Sequence, residues 1–281
     1  MQVAIALFPG NTALDAVGPY EVLQRVPSFD VVFVGHRRGE VRSDNAMLGL
    51  LCDAAFDELT RPDVVIFPGG IGTRTLIHDQ TVLDWVREAH RHTLLTTSVC
   101  TGGLVLAAAG LLNGLTATTH WRVQDLFNSL GARYVPQRVV EHLPERVITA
   151  AGVSSGIDMG LRLGGVFVSR GAAEASQLMI EYDPQPPVDA GSLAKASPAT
   201  HRLAWGFISI VCDLFAIGLA VRDTDIAHTT RRGSSHRVKP GVRWCLVGIF
   251  AVEGSRVAWA SCRRRRPSCH GSTVAAHDHR R

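Results

Sequence analysis

The sequence predicts an α/β protein with a mostly parallel central sheet and helices on both faces, and three observations carry that expectation. Short apolar, β-branched runs recur along the first 200 residues, with stretches of helical periodicity between them, the alternation of a parallel sheet with crossover helices. Two of the runs end directly in Pro-Gly, the punctuation of a strand turning into a loop. Hydrophobic residues make up 46% of the chain and charged ones 19%, ample for a packed core and incompatible with wholesale disorder.

Taken in order, residues 3–8 (VAIALF) form a first strand closed by Pro9-Gly10. Leu14, Val17, Tyr20, Val22, Leu23 and Val26 fall at helical spacing, so a helix is predicted over 14–26, stopped by Pro27. DVVFVG at 30–35 is the second strand, and 41–52 predicts a small hairpin around Asp44-Asn45. DVVIF at 63–67 runs into Pro68-Gly69-Gly70, followed by a helical stretch containing Val82, Trp85 and Val86. Residues 93–97 form the next strand and 102–110 a helix of small residues. A strand over 146–151 and helices over 156–168 and 172–180 complete the pattern. The proline-rich run Tyr182-Asp-Pro-Gln-Pro-Pro then closes a domain near residue 195.

The remaining residues, 196–281, follow a different logic. Residues 1–200 carry a net charge of −5 and residues 201–281 one of +9, so the overall +4 averages two unlike segments and is no nucleic-acid signal for the whole chain. The basic extension lacks clear periodicity and predicts a disordered or non-native tail. A helix-turn-helix pair is not evident there, so no nucleic-acid partner is expected. Residues 203–221 are long enough to span a bilayer, but Asp213 at the centre costs about 2.5–3.5 kcal/mol on insertion, which argues against a membrane segment. The start has no basic leader and breaks at Pro9-Gly10 after eight residues, so a reducing cytoplasm is the expectation. Cys52 and Cys100, the two cysteines of the first 200 residues, do not make a disulfide framework.

The sharpest chemical feature is TTSVCTGG at 96–103. One cysteine stands where a strand ends and a small-residue helix begins, the layout of a nucleophile elbow. Cys100 there would meet the helix N-terminus, which favours thiolate over thiol. A free cysteine is otherwise commonly a buried, inert one. FPGGI at 67–71 ends a neighbouring strand, and the Gly70 and Ile71 amides could stabilise a developing negative charge, or the turn could be an ordinary one. LDAVGPYE at 14–21 places Asp15 near a helix start, as an N-cap or as a carboxylate beside Cys100, with Glu21 a competitor nearly two turns on. His120 in ATTHW could cap the following helix, line the pocket or act in acid–base work. His142 and Cys52 have no motif around them, metal-ligand spacings are absent from the first 200 residues, and no phosphate-binding glycine loop is present.

Together, FPGNTALDAVGPYEVL, DVVIFPGG, TSVCTGGLVLAAAGLLNG, ATTHW, the GVSSGIDMGL run beginning at Gly152 and EYDPQPPVDAGS resemble the ThiJ/PfpI superfamily of class I glutamine amidotransferase-like proteins. Within it they resemble the isonitrile hydratase branch, over residues 1 to about 195. The resemblance implies a flavodoxin-like α/β sandwich, usually a homodimer. It implies Cys100 as nucleophile, Asp15 as the catalytic acid and Thr101 beside them, with no metal or organic cofactor. The implied activity is that of a hydro-lyase converting isonitriles to N-substituted formamides, with Thr101, Gly70, Ile71 and His120 around the substrate. The peptidase-like branch has a histidine directly after its cysteine; Thr101 stands there, which disfavours proteolysis. Two rivals share the domain: the ligand-sensing half of transcription regulators, and glyoxalase/deglycase-like thiol chemistry, which prefers a glutamate in the role given to Asp15.

Overall fold

The computed structural model describes residues 1–207; residues 208–281 lie outside the described residues, and with them most of the basic extension and all but the start of the 203–221 run. The elements follow in order as β1 (Gln2–Ala6), α1 (Ala13–Leu23), β2 (Asp30–Gly35), β3 (Gly39–Arg42), β4 (Gly49–Cys52), β5 (Ala54–Ala55), β6 (Val64–Phe67), α2 (Thr73–Leu76), α3 (Gln80–His92), β7 (Leu95–Val99) and α4 (Gly102–Ala108). Then come β8 (Thr116–Ala117), a 3-10 turn (Trp121–Val123), α5 (Gln124–Ser129), β9 (Arg133–Tyr134), β10 (Val139–His142), β11 (Val147–Ala150), α6 (Ser155–Phe167) and α7 (Arg170–Met179). Residues 198–207 are helical.

Seven strands form one sheet in the order β10-β11-β7-β6-β1-β2-β5. All its pairings are parallel except β10 with β11 at one edge. Val3 pairs with Val31 on one side and Val64 on the other, which puts β1 in the interior and accounts for its unbroken apolar run. The pleat then sorts side chains by parity. Ala4, Ala6 and Phe8 pack with Phe67, Val86, Leu104 and Phe127 on the face covered by α3, α4 and α5. Val3, Ile5 and Leu7 pack with Leu23, Ile66, Met159 and Leu163 on the face covered by α1 and α6. This is the mostly parallel, helix-covered α/β sandwich of the flavodoxin-like kind. From β1 the chain builds outward through β2 and β5 on one side and then crosses back to add β6 on the other, so a crevice opens beyond the carboxyl ends of β1 and β6, where sheets of this type take ligands.

The hairpin predicted around Asp44-Asn45 is β3–β4, in register Glu40↔Leu51. The strand predicted at 93–97 lies two residues later, because Thr93 still closes α3 through its N–H to Ala89 O. Helix α1 ends at Leu23, before Pro27, since a tight turn from Val26 N–H to Leu23 O already breaks it. Sequence periodicity misses β5, β8 and β9, which are two residues long, and β10, an edge strand of mixed character.

Candidate active site

Four loops meet in the crevice, and each brings one piece of the site. After β7 the chain turns at Cys100, whose φ is +57, a left-handed conformation that side-chain-bearing residues rarely adopt. The elbow is held on both sides: the Cys100 N–H donates to Ala150 O (3.0 Å) and Ala151 O (2.8 Å), and Thr119 Oγ1 donates to Cys100 O at 2.8 Å. Gly102 follows because nothing larger fits; a Cβ there would lie 2.0 Å from Phe67 O. The motif ATTHW thus supports the elbow through Thr119, a role sequence reading misses.

Asp15, in the first turn of α1, is fully buried and is not the N-cap; that position is Thr12. Its Oδ2 accepts the Gly69 N–H at 2.8 Å, whereas Oδ1 has no hydrogen-bond partner among the described residues; the carboxyl faces the Cys100 thiol. A Cβ on Gly69 would sit 2.8 Å from Asp15 Oδ2 and 2.5 Å from the Thr101 nitrogen, so this approach requires glycine. Burial pushes the Asp15 carboxyl from its ordinary 3.8 up to about 7, against the lowering effect of the Gly69 N–H. Burial, followed by the Asp15 charge, pushes the Cys100 thiol well above its usual value, against the Val153 and Thr101 N–H groups that favour the thiolate. The thiolate expected from the helix N-terminus is therefore not the resting form. Two acids side by side, both desolvated, keep at least one proton between them at neutral pH.

Thr101 and Gly70 are brought together, with Thr101 Oγ1 accepting the Gly70 N–H at 2.8 Å and donating to Gly70 O at 3.0 Å. The Gly70 amide expected to face substrate is thus bonded to a side chain, and the Thr101 hydroxyl clamps the Pro68-Gly69-Gly70 turn over the cysteine. The backbone amides that favour the thiolate of Cys100 are those of Thr101 and Val153. Val153 has a φ of +36, and its only sequence signal is its place in the GVSSG run.

Cys100, Thr101, Gly70, Ile71 and His120 line one cavity of about 230 Å³, together with Thr12, Asp44, Arg74, Arg122, Val123 and Val153. His120 both caps the 3-10 turn, with Nδ1 accepting the Arg122 N–H at 3.3 Å, and lines this cavity. Burial and the Arg122 and Arg74 charges hold it down at about 4, so it is neutral at pH 7. Glu21 lies outside, paired with Arg25 at the surface. Cys52 is buried beneath β2 and its thiol is pushed up to about 11 by burial and then by Asp53, an inert position. His142 bonds Thr116 O at 2.6 Å away from the site. Among the described residues no group of three or more His, Cys, Asp or Glu is placed to hold a metal ion.

The model of the DJ-1/PfpI family matches residues 1–164. The chain belongs to that family. It is 41% identical over 192 residues to the isonitrile hydratase of Pseudomonas putida, covering 68% of this chain and 83% of that protein. It is 32% identical over 126 residues to the HTH-type transcriptional regulator CdhR of Pseudomonas aeruginosa, covering 44% of this chain but 37% of the regulator. Among solved structures, a ThiJ/PfpI family protein from Pseudomonas syringae superimposes with a TM-score of 0.70 at 33% identity, over 76% of this chain and 88% of that one. DJ-1 of Schizosaccharomyces pombe superimposes with a TM-score of 0.56 at 22% identity, over 66% of this chain and all of that one, which shows the shared fold. The similarity to the hydratase supports enzymatic activity of the DJ-1/PfpI kind.

Proposed function

We propose that the protein hydrates isonitriles to N-substituted formamides through a covalent Cys100 intermediate, without a metal or organic cofactor. The observation that carries this reading is the Cys100 elbow lining the cavity with the buried Asp15 carboxyl behind it, both acids pushed up by burial so that the pair retains a proton at neutral pH.

An isonitrile, R–N≡C, presents a terminal carbon that accepts a nucleophile and then needs a proton. As Cys100 Sγ attacks that carbon, Asp15 takes the thiol proton and delivers it to the same carbon, giving the thioimidate R–N=CH–S–Cys. The Thr101 and Val153 N–H groups stabilise the charge that Sγ carries during the transfer. Water then adds to the C=N carbon, the C–S bond breaks, and R–NH–CHO leaves while Cys100 recovers its proton. Thr101 holds the Gly70 turn closed over this centre, Ile71 and His120 wall the substrate, and burial keeps bulk water from competing with the proton relay.

The match to transcription regulators favours a second reading, a ligand sensor that binds through the same cavity. The deciding experiment is formamide release from a simple alkyl isonitrile followed by NMR, with Cys100→Ala as control. Turnover supports the hydratase; stoichiometric binding without formamide supports the sensor. Consumption of methylglyoxal in place of isonitrile would point to the deglycase-like chemistry instead. A homodimer in the cytoplasm belongs to the same proposal. Among the described residues no helix is long and apolar enough to cross a membrane.

A further inference from the structure

A chain of aromatic contacts runs from the last described residues to the mouth of the cavity. The Arg122 guanidinium carbon lies 4.0 Å from the centroid of the Trp205 ring, a face-on cation–π distance. Trp205 also meets the Trp121 ring edge-on, at 5.6 Å and 82°. His201, one turn earlier, stacks on Trp121 at 6.4 Å and 28°, and its Nε2 is tied to Leu193 O at 3.2 Å. Trp121 in turn lies 5.4 Å from the His120 ring. His120 and Arg122 line the cavity with Cys100.

Trp205 remains 48% exposed, so core burial does not explain its placement. Its ring is applied to a cavity-lining cation and to the tryptophan beside it. The Arg122 backbone is fixed through its N–H to His120 Nδ1, and its long side chain, with several rotatable bonds, has the Trp205 ring face among the contacts that orient it.

We propose that Trp205, carried by the helical residues 198–207, is a positioning residue of the site: it holds Arg122 at the cavity mouth and so sets substrate affinity without touching the reacting atoms. For the identity of the substrate this rests on the hydratase reading; for the architecture of the mouth it does not.

The test uses the full chain and four variants: Trp205→Ala, Trp205→Phe, Arg122→Ala and the Trp205→Ala/Arg122→Ala double. With a small alkyl isonitrile, Trp205→Ala raises KM about fivefold, within the roughly 2- to 30-fold range that a cation–π contact spans, and leaves kcat within about twofold. Trp205→Phe, which keeps an aromatic face, recovers most of the loss. In the Arg122→Ala background, Trp205→Ala adds less than it does alone, because the cation–π contact is already gone and the edge-on contact with Trp121 is what remains to lose. In parallel, the rates at which iodoacetamide and a bulky chloroacetamide label Cys100 are compared by peptide mass mapping. Trp205→Ala shifts the ratio at least about twofold toward the bulky reagent. Wild-type protein that turns over no isonitrile would defeat the hydratase reading and leave the labelling ratio to decide this one. Unchanged KM and labelling ratio in Trp205→Ala, or effects that add fully to those of Arg122→Ala, would overturn it.

Discussion

Asp15 and Cys100 are each placed where their charged forms are disfavoured, and the consequences are opposite for chemistry and for stability. The relay needs the pair with one proton, so kcat/KM should rise with pH through about 7, the value to which burial lifts Asp15. Asp15→Asn should abolish that limb and lower kcat by at least about a hundredfold, measured as formamide release across pH 5–9. Stability runs the other way. Between 3.8 and about 7 the folded state retains a proton that the unfolded chain has released, so ionising Asp15 subtracts stability as pH rises through that window. Asp15→Asn should therefore raise Tm by several degrees at pH 8, with no gain below pH about 4. A thermal melt at both pH values checks this, and a fall in Tm at pH 8 would show that the carboxyl serves the fold instead. At this scale the sequence exposes Cys100, since an isolated cysteine between a β-branched strand and Gly102-Gly103 is visible in one dimension. Spacing alone cannot choose Asp15 over Glu21, which the family resemblance does, because the physical basis of that choice is Gly69, 54 residues away, presenting its N–H. Val153 is likewise hidden, because its amide comes to favour the Cys100 thiolate only after β11 pairs with β7.

At the scale of elements, the elbow depends on how closely α4 can approach the end of β6. A Cβ at Gly102 would meet Phe67 O at 2.0 Å, and backbone on both sides leaves nothing flexible to yield. Gly102→Ala should cost about 3 kcal/mol or more by denaturant unfolding and displace Cys100 enough to remove turnover. A Gly102→Ala protein of unchanged stability would mean that the turn is not as tightly held as the distances require. The strand-and-helix alternation was legible because β1 and β6 are interior strands with apolar side chains on both faces, and β7 beside them is a fully buried run rich in β-branched residues. The 116–142 region was not, since its short strands and α5 take their conformation from the neighbours they cover: Phe127 packs under α4, and Thr119 is drawn to the Cys100 carbonyl. Thr101 shows the same limit. Its position after the cysteine was plain, but its bond to the Gly70 turn needs two sheet edges brought together.

At the scale of the whole molecule, residues 1–195 carry the sheet, both core layers and every group assigned to the chemistry. Sequence alone places the close of the domain at the proline-rich run and assigns everything beyond it to the extension, but residues 198–207 pack Trp205 and His201 against Trp121. A 1–195 truncation should thus keep a cysteine-dependent kcat and lose affinity, whereas a 1–207 truncation should restore the full-length KM, as read from saturation curves on the three forms. Loss of kcat in the shorter form would place catalytic machinery beyond residue 195. Light scattering should return twice the chain mass for the intact protein, as expected of a homodimer. Covalent hydration at Cys100 is tested most directly by formamide release from a small alkyl isonitrile by wild-type and Cys100→Ala protein, with the wild-type reaction quenched in acid for intact-mass analysis. Steady turnover with a transient adduct of isonitrile mass on Cys100 is expected, and neither in Cys100→Ala; formamide release at the wild-type rate from the alanine variant would rule out Cys100 as the nucleophile.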